Sequence, residues 1–395
     1  MTQKLPRLAE SMTTAKLATS ILARRRVQAT PCDVLLLFTY GAGPVRHAAL
    51  AAALRTRGLA VACEVVTRRR IVTGRMLLRP AGADAGTGPE PLEALADYLV
   101  SRYRPRLLVT FVNATVLASP LMRRMEAAGG LHVNIAHAVA SPQGLDPMPA
   151  AHYQFVFGES SVRAFQAARP PRRPIKLVRT GSIYLDARRA PPPAPFERRV
   201  LFASTWIPKG YERRYLPAFE AVASWAKNRP DFVVDVKPHP LNDAPLIRRY
   251  FQRLANVRVL PRDVTPDAAW RALAPARLLL SPFSCFSLEA AVAGRPSVPV
   301  GVDTDGNDFL ELERFFTPVA ATAQTLDRAV EETLANYAAA VSRCRAFAAH
   351  HLDHVDGGLE YTTDCLEALF RGSEPPATII VPGMENENNE QGPCS

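Results

Sequence analysis

Short runs of buried-strand character alternate with helical patterns along almost the whole chain, and the alternation is broken once, by a proline-rich stretch near its middle. Residues 33–38 (Asp-Val-Leu-Leu-Leu-Phe) read as a buried strand, 45–57 as an Ala- and Leu-rich helix closed by Gly58, and 59–66 as a second strand. A helix around 91–102, a strand at 106–112, a helix near 116–128 and strands at 131–136 and 153–157 continue the pattern. The break is Ala187-Arg188-Arg189-Ala190-Pro191-Pro192-Pro193-Ala194-Pro195, which reads as a stiff linker. After it, strands at 199–204, 232–237, 256–260, 277–281 and 297–300 alternate with helices at 215–228, 244–254, 266–273 and 286–293, and two final helices follow at 324–350 and 357–371. Alternation of this kind predicts mainly parallel sheets with helices on both faces.

At 395 residues the chain is long enough for two such domains. The expected organisation is a basic N-terminal segment (1–30), a Rossmann-like domain over 31–186, the linker 187–195, a second Rossmann-like domain over 196–372, and a disordered tail over 373–395 containing Glu385-Asn386-Glu387-Asn388-Asn389-Glu390. Two α/β domains joined by a hinge leave a cleft between them. No apolar run is long enough to span a bilayer, and the first thirty residues carry no signal-peptide pattern. Cys32, Cys63, Cys285, Cys344, Cys365 and Cys394 are scattered without CxxC spacing, so neither a disulfide framework nor a zinc site is indicated, and a cytoplasmic setting suits them. The formal charge of +11, with arginine doublets dispersed along the chain, favours anionic partners: nucleotides, phosphorylated lipids, a membrane face or nucleic acid.

Two strand ends in the second half carry chemistry. Phe232-Val233-Val234-Asp235-Val236-Lys237-Pro238-His239-Pro240 is a buried strand that stops in a lysine and a histidine between prolines. Open α/β sheets bind ligands outside the carboxyl ends of their strands, so Lys237 and His239 are placed to meet an anion; a plain strand-to-loop exit is the alternative. Leu278-Leu279-Leu280-Ser281-Pro282-Phe283-Ser284-Cys285-Phe286-Ser287-Leu288-Glu289-Ala290-Ala291 runs from a strand into hydroxyls and then a helix. Ser284, Ser287 and the N–H groups of the helix start together suit a phosphate, while either serine taken singly reads better as an N-cap.

Three further features are weaker. Gly41-Ala42-Gly43 lacks the full dinucleotide fingerprint and reads as a tight first turn. Asp303-Thr304-Asp305-Gly306-Asn307-Asp308 lacks the glycine at the sixth position and the carboxylate at the twelfth of a calcium loop and reads as an acidic turn, with a donor-metal role for Asp303 and Asp305 as the alternative. His350, His351 and His354, with Asp353 and Asp356, read as a solvated helix end.

The order Gly181-Ser182-Ile183-Tyr184-Leu185-Asp186, Val200-Leu201-Phe202-Ala203-Ser204-Thr205-Trp206, Lys237-Pro238-His239-Pro240 and then Ser281 to Ala290 resembles the CDP-glycerol glycerophosphotransferase family and related capsule and polysialic-acid transferases, over about residues 130–300. The resemblance implies a GT-B fold of two facing Rossmann-like domains with a central cleft, the donor nucleotide held mainly by the C-terminal one. It places His239 on the donor phosphates, with Ser284 and Ser287 on the same group and Thr205 and Trp206 at the cleft. Lys237 is added on physical grounds, since an ammonium beside a diphosphate stabilises the departing nucleotide. Tryptophan is followed here by Ile207 where the family usually has arginine, and Pro282 and Phe283 stand where it has an acidic residue before the serines.

A catalytic base is expected from the first domain. His137, in Val133-Asn134-Ile135-Ala136-His137-Ala138, ends a buried strand and could take the proton of an acceptor hydroxyl; a structural histidine is the alternative, and the family has His-Gly here. His132 reads as packed, and Gln143 and Gly144 as candidates for the acceptor side or a plain turn. The sequence thus predicts a cytoplasmic transferase, peripheral on the inner membrane face, that moves a glycosyl or glycerol-phosphate unit from a CDP/CMP-type donor to a surface or capsular polysaccharide or lipid-linked acceptor. The nucleotide-activated donor is a substrate; no cofactor or metal and no nucleic-acid partner are expected. A sugar-nucleotide epimerase or hydrolase of the same architecture, or a non-catalytic nucleotide- or glycan-binding component of polysaccharide assembly, are the alternatives.

Overall fold

The run Val34-Leu35-Leu36-Leu37-Phe38 is buried along its whole length, which suits only a strand covered on both faces, and it forms β1 (Val34–Phe38) at the interior of a sheet. The computed structural model describes residues 29–66, 91–111, 117–145, 150–192, 194, 198–205, 212–239, 244–263, 265, 267–301 and 310–384. From β1 the first half continues through α1 (Gly43–Arg46), α2 (Ala48–Thr56), β2 (Val61–Val65), α3 (Pro91–Tyr103), β3 (Leu107–Thr110), α4 (Ala118–Ala127), β4 (Leu131–Ile135), β5 (Tyr153–Val156), α5 (Glu159–Ala167) and β6 (Ile175–Arg179). The second half repeats the plan with β7 (Arg199–Ala203), α6 (Glu212–Asn228), β8 (Val233–Lys237), α7 (Ala244–Phe251), β9 (Val257–Val259), α8 (Ala268–Leu273), β10 (Leu278–Ser281), α9 (Phe286–Val292) and β11 (Ser297–Pro299). It closes with α10 (Leu312–Phe315), α11 (Ala323–Ala335), α12 (Tyr337–His351), α13 (Gly358–Phe370) and β12 (Ile379–Val381).

The strands make two sheets. One has seven strands in the order β12-β6-β5-β4-β3-β1-β2, parallel except for β12; the other has five in the order β11-β10-β7-β8-β9, all parallel. Each sheet reverses its strand order once, between β1 and β3 and between β7 and β10. At such a reversal the flanking helices diverge and leave a crevice at the carboxyl ends of the strands. Apolar clusters cover both faces of each sheet, and one of them joins Ala136, Val139, Phe157 and Leu185 of the first half to Leu201, Leu279 and Leu288 of the second.

Several elements differ from expectation, each for a local reason. The helix expected over 45–57 is two, because His47 leaves helical geometry (φ −107°, ψ 15°) and turns its ring into the core. The helix expected over 324–350 breaks at Asn336, which leaves helical geometry (φ −111°, ψ 34°) and donates its side-chain amide to the Glu332 carbonyl. The unforeseen α5 and β6 lie beside Pro170, Pro171 and Pro174, which mask a five-residue strand in the sequence pattern.

The last segments do not stay with the second half. α12 packs against both α9 and α5, α13 lies beside α2 and β3, and β12 adds antiparallel to β6. Cys365, Leu366 and Leu369 of α13 thereby complete the apolar cluster of Leu36, Leu54 and Val109. The last helix, expected with the second domain, instead covers the first sheet, and residues 379–381, expected in a disordered tail, form its edge; residues 385–395 lie outside those described. The return is possible because Gly181 takes φ +72°, and a Cβ there would stand 2.1 Å from the Asp353 carbonyl oxygen. The expected solvated helix end holds for the exposed His354 and Asp356 but not for His351, which is fully buried, bonded through Nδ1 to the Ser160 hydroxyl of α5 at 2.9 Å and through Nε2 to the Leu310 carbonyl at 3.0 Å. His354 stacks on Tyr361.

Candidate active site

β8 is covered on both faces, so the consecutive Val234, Asp235 and Val236 are all buried, and the Asp235 carboxylate is taken up by Arg258 at 2.8 and 3.0 Å. The next residues leave the sheet, and Ser204, just past β7, fixes how they do so. Its N–H donates to the Lys237 carbonyl at 3.1 Å, and its hydroxyl accepts the His239 N–H at 2.9 Å. The Lys-Pro-His corner is thus tied to the strand next to the order reversal, and Pro238 contributes no competing donor. Thr205 follows, half-buried, at the same edge.

Lys237 lies over the Phe286 ring of α9, 4.9 Å from its centroid. Burial lowers its pKa, Glu289 on the same helix opposes the shift, and Arg46 of the first half adds to it. His239 is held down to about 4, by burial first and then by Lys237, Arg46 and Arg262, so it is neutral at neutral pH. Glu289 is shifted up by burial against the pull of Lys237 and Arg46. On the first half, His137 follows β4; burial lowers its pKa, Arg46 adds to this, and a hydrogen bond to the Phe111 backbone works against it. His137 is exposed and Lys237, His239 and Glu289 are half-buried, yet burial is the largest influence on all four. Side chains open to solvent on one side and walled by protein on the others line a concavity.

Arg46 links these groups. It ends the four-residue α1, follows the first sheet's β1, and acts on His137, Lys237, His239 and Glu289. The carboxyl ends of both sheets therefore open on the same recess, where each order reversal already leaves a crevice. The motif reading missed Arg46 and Glu289. Arg46 stands eight residues past the end of β1, behind the Gly41-Ala42-Gly43 turn, and its place after a buried first strand was the only available signal.

The second strand end is less open than expected. Between β10 and α9, Phe283 adopts φ +39°, a left-handed conformation that a bulky residue takes only where the surrounding packing holds it. Ser284 is half-buried and its hydroxyl accepts the Phe286 N–H at 3.3 Å, a serine turn that leads into the helix, whose N-cap is Cys285. Ser287 is 0 % exposed, and its hydroxyl has no hydrogen-bond partner among the described residues. Ser287 is thus closed to solvent while Ser284 is not. Cys285, between them, faces the Val139 backbone, and burial pushes its thiol up to about 11.

The remaining expected positions fall as follows. His132 is fully buried within a polar ladder: Nε2 meets Thr110 Oγ1 at 3.0 Å, Asn134 donates to that hydroxyl at 2.9 Å, and Gln154 donates to Asn134 at 3.1 Å. Gln143 opens a short 3-10 turn, and Gly144 is exposed there with its N–H on the Ser141 hydroxyl. Trp206, Asp303 and Asp305 lie outside the described residues. Arg295 is structural: buried, it donates to the carbonyls of Ala293 at 2.8 Å and Pro192 at 2.6 Å, anchoring the linker.

Among the described residues, no helix is long and apolar enough to cross a membrane, and no group of three or more His, Cys, Asp or Glu side chains converges as a metal site would. No protein-family model and no curated protein matches the chain. Solved structures do match it. A variant of the wall teichoic acid polymerase TagF is 12 % identical with a TM-score of 0.57, covering 93 % of this chain and 98 % of its own. UDP-GlcNAc 2-epimerase from Neisseria meningitidis, bound to UDP-GlcNAc, is 14 % identical with a TM-score of 0.56, covering 86 % and 99 %. MurG from Acinetobacter baumannii is 14 % identical with a TM-score of 0.51, covering 85 % and 99 %. These likenesses establish the fold: the chain is a GT-B protein, two Rossmann-like units facing across a cleft.

Proposed function

We propose that the cleft binds a nucleotide-activated donor and that the chain is a transferase, moving a glycosyl or glycerol-phosphate unit to a surface or capsular polysaccharide acceptor. The observation that carries this reading is the meeting of Lys237, His239 and Glu289 from one sheet with Arg46 and His137 from the other. Cations at the recess suit the donor phosphates, and a neutral imidazole on the opposite wall suits a base. His137 accepts the proton of an acceptor hydroxyl as its oxygen bonds to the transferred carbon or phosphorus. The bond from that atom to the nucleotide phosphate oxygen breaks, and Lys237 and Arg46 balance the charge left on the departing phosphate. His239, neutral, donates a ring N–H to a phosphate oxygen.

The motif resemblance favours a CDP- or CMP-type donor, whereas the Neisseria neighbour holds UDP-GlcNAc, so both classes are to be tested. A second reading has comparable support. The epimerase and polymerase neighbours superpose equally well, with TM-scores of 0.56 and 0.57, and an epimerase or hydrolase would need the donor alone. The test is a thermal-shift screen against UDP, CDP, CMP and GDP, followed by turnover of UDP-GlcNAc and CDP-glycerol with and without a polysaccharide acceptor. Transfer that His137→Ala abolishes while nucleotide binding persists is the expected result. Donor consumption without acceptor would replace it by the epimerase or hydrolase reading, and binding without turnover of any donor by a non-catalytic one.

A further inference from the structure

Arg46 belongs to a helix of four residues, Gly43–Arg46, far too short to hold a position by its own hydrogen bonds. What holds it is the next residue. His47 is 1 % exposed, its ring lying 3.9 Å from Phe111 and 5.0 Å from Phe38 between centroids. Its Nδ1 stands 2.7 Å from the Gly43 carbonyl oxygen, which can only accept, so Nδ1 carries the proton and Nε2 is left as an acceptor. The Tyr184 hydroxyl supplies the donor to Nε2. Tyr184 also packs edge-on to His47, and its ring lies beneath the Arg46 guanidinium, 4.5 Å from centroid to Cζ.

One side chain therefore makes two contacts with α1, a hydrogen bond that locks its C-terminal anchor and a π face under its arginine. Tyr184 comes from the segment 181–186 that leaves β6 toward the linker, whose Gly181 is pressed against Asp353 where the chain returns from the second half. We infer that Tyr184 is a positioning residue, which holds Arg46 in the cleft for an anionic ligand through the His47 bond and the ring contact, and so ties that cation to the segment joining the two halves. This rests on the proposed anion site, and the test separates the two.

Inorganic pyrophosphate and UDP are titrated calorimetrically into the full chain and into Arg46→Ala, Tyr184→Leu, Tyr184→Phe and the double variants. A ring contact of this kind is worth about threefold to thirtyfold in affinity, so Tyr184→Leu should weaken pyrophosphate binding within that range, and Tyr184→Phe, which keeps the ring, by less. In the Arg46→Ala background both tyrosine changes should have no further effect, within about twofold, because the group they position is gone. An equal loss in both backgrounds overturns the positioning role and leaves the site standing. Unchanged pyrophosphate affinity in Arg46→Ala overturns the site reading and this inference together. Should Tyr184→Leu lose the cooperative thermal transition, the same cycle run with Tyr184→Phe decides.

Discussion

Ser284 and Ser287 differ in burial because the first precedes the helix and the second lies inside its first turn. Both stand beyond the same strand, three positions apart, yet one is half-buried in a turn that accepts the Phe286 N–H while the other is fully buried. A buried hydroxyl without a partner costs about 1–3 kcal/mol of desolvation. Ser287→Ala should therefore leave nucleotide affinity unchanged and match or exceed the wild-type urea midpoint; a loss of affinity of tenfold or more would return Ser287 to the site. His137 and His239 differ from it in kind, since both keep access to solvent while the walls of the recess hold them neutral. Such a histidine stays available as a base or an N–H donor at a lower pH than an exposed one.

Between elements, the most constrained point is the exit of β6. Gly181 is needed twice over, for its positive φ and for the approach of the Asp353 carbonyl oxygen. Gly181→Ala adds a left-handed penalty of about 1–2 kcal/mol to a backbone clash that flexible side chains cannot relieve. We expect a loss of roughly 3 kcal/mol or more in urea denaturation, and a change below about 1 kcal/mol would mean that the two crossing segments are not packed as described. Part of this exit was visible in the sequence as Gly181-Ser182-Ile183-Tyr184-Leu185-Asp186. Its partner was not, because residues 351–358 are distant along the chain and carry no periodic signal of their own.

Across the whole molecule, three fully buried histidines are kept neutral inside packed interfaces. Burial lowers His47 to about 4, His132 to about 3 and His351 to about 4, each from an ordinary value of 6.5. In the unfolded chain they take up protons below about pH 6.5, so the stability they contribute is complete above that pH and is lost as the pH falls toward about 4. Each pH unit of depression is worth about 1.4 kcal/mol per histidine once fully titrated, several kcal/mol in all. Glu289, raised by burial, works in the opposite sense as a single group. Urea midpoints measured at pH 7.5, 6 and 5 should decline in that order; a flat or rising series would show that these rings are not shut away from water.

Strand–helix alternation and the proline break were enough to establish two parallel α/β units, because a period of two or of 3.6 residues is written in local order. The same local logic put Lys237, His239 and His137 at strand ends, and the structure brings all three to the recess. Which serine faces outward, which arginine crosses the cleft, and which sheet the last helix covers were decided only in three dimensions. A strand of four or five residues shows that it is buried, but its neighbours are chosen by packing among segments up to several hundred residues apart. Arg46, Tyr184 and Glu289 meet through such packing, and no spacing along the chain announces them.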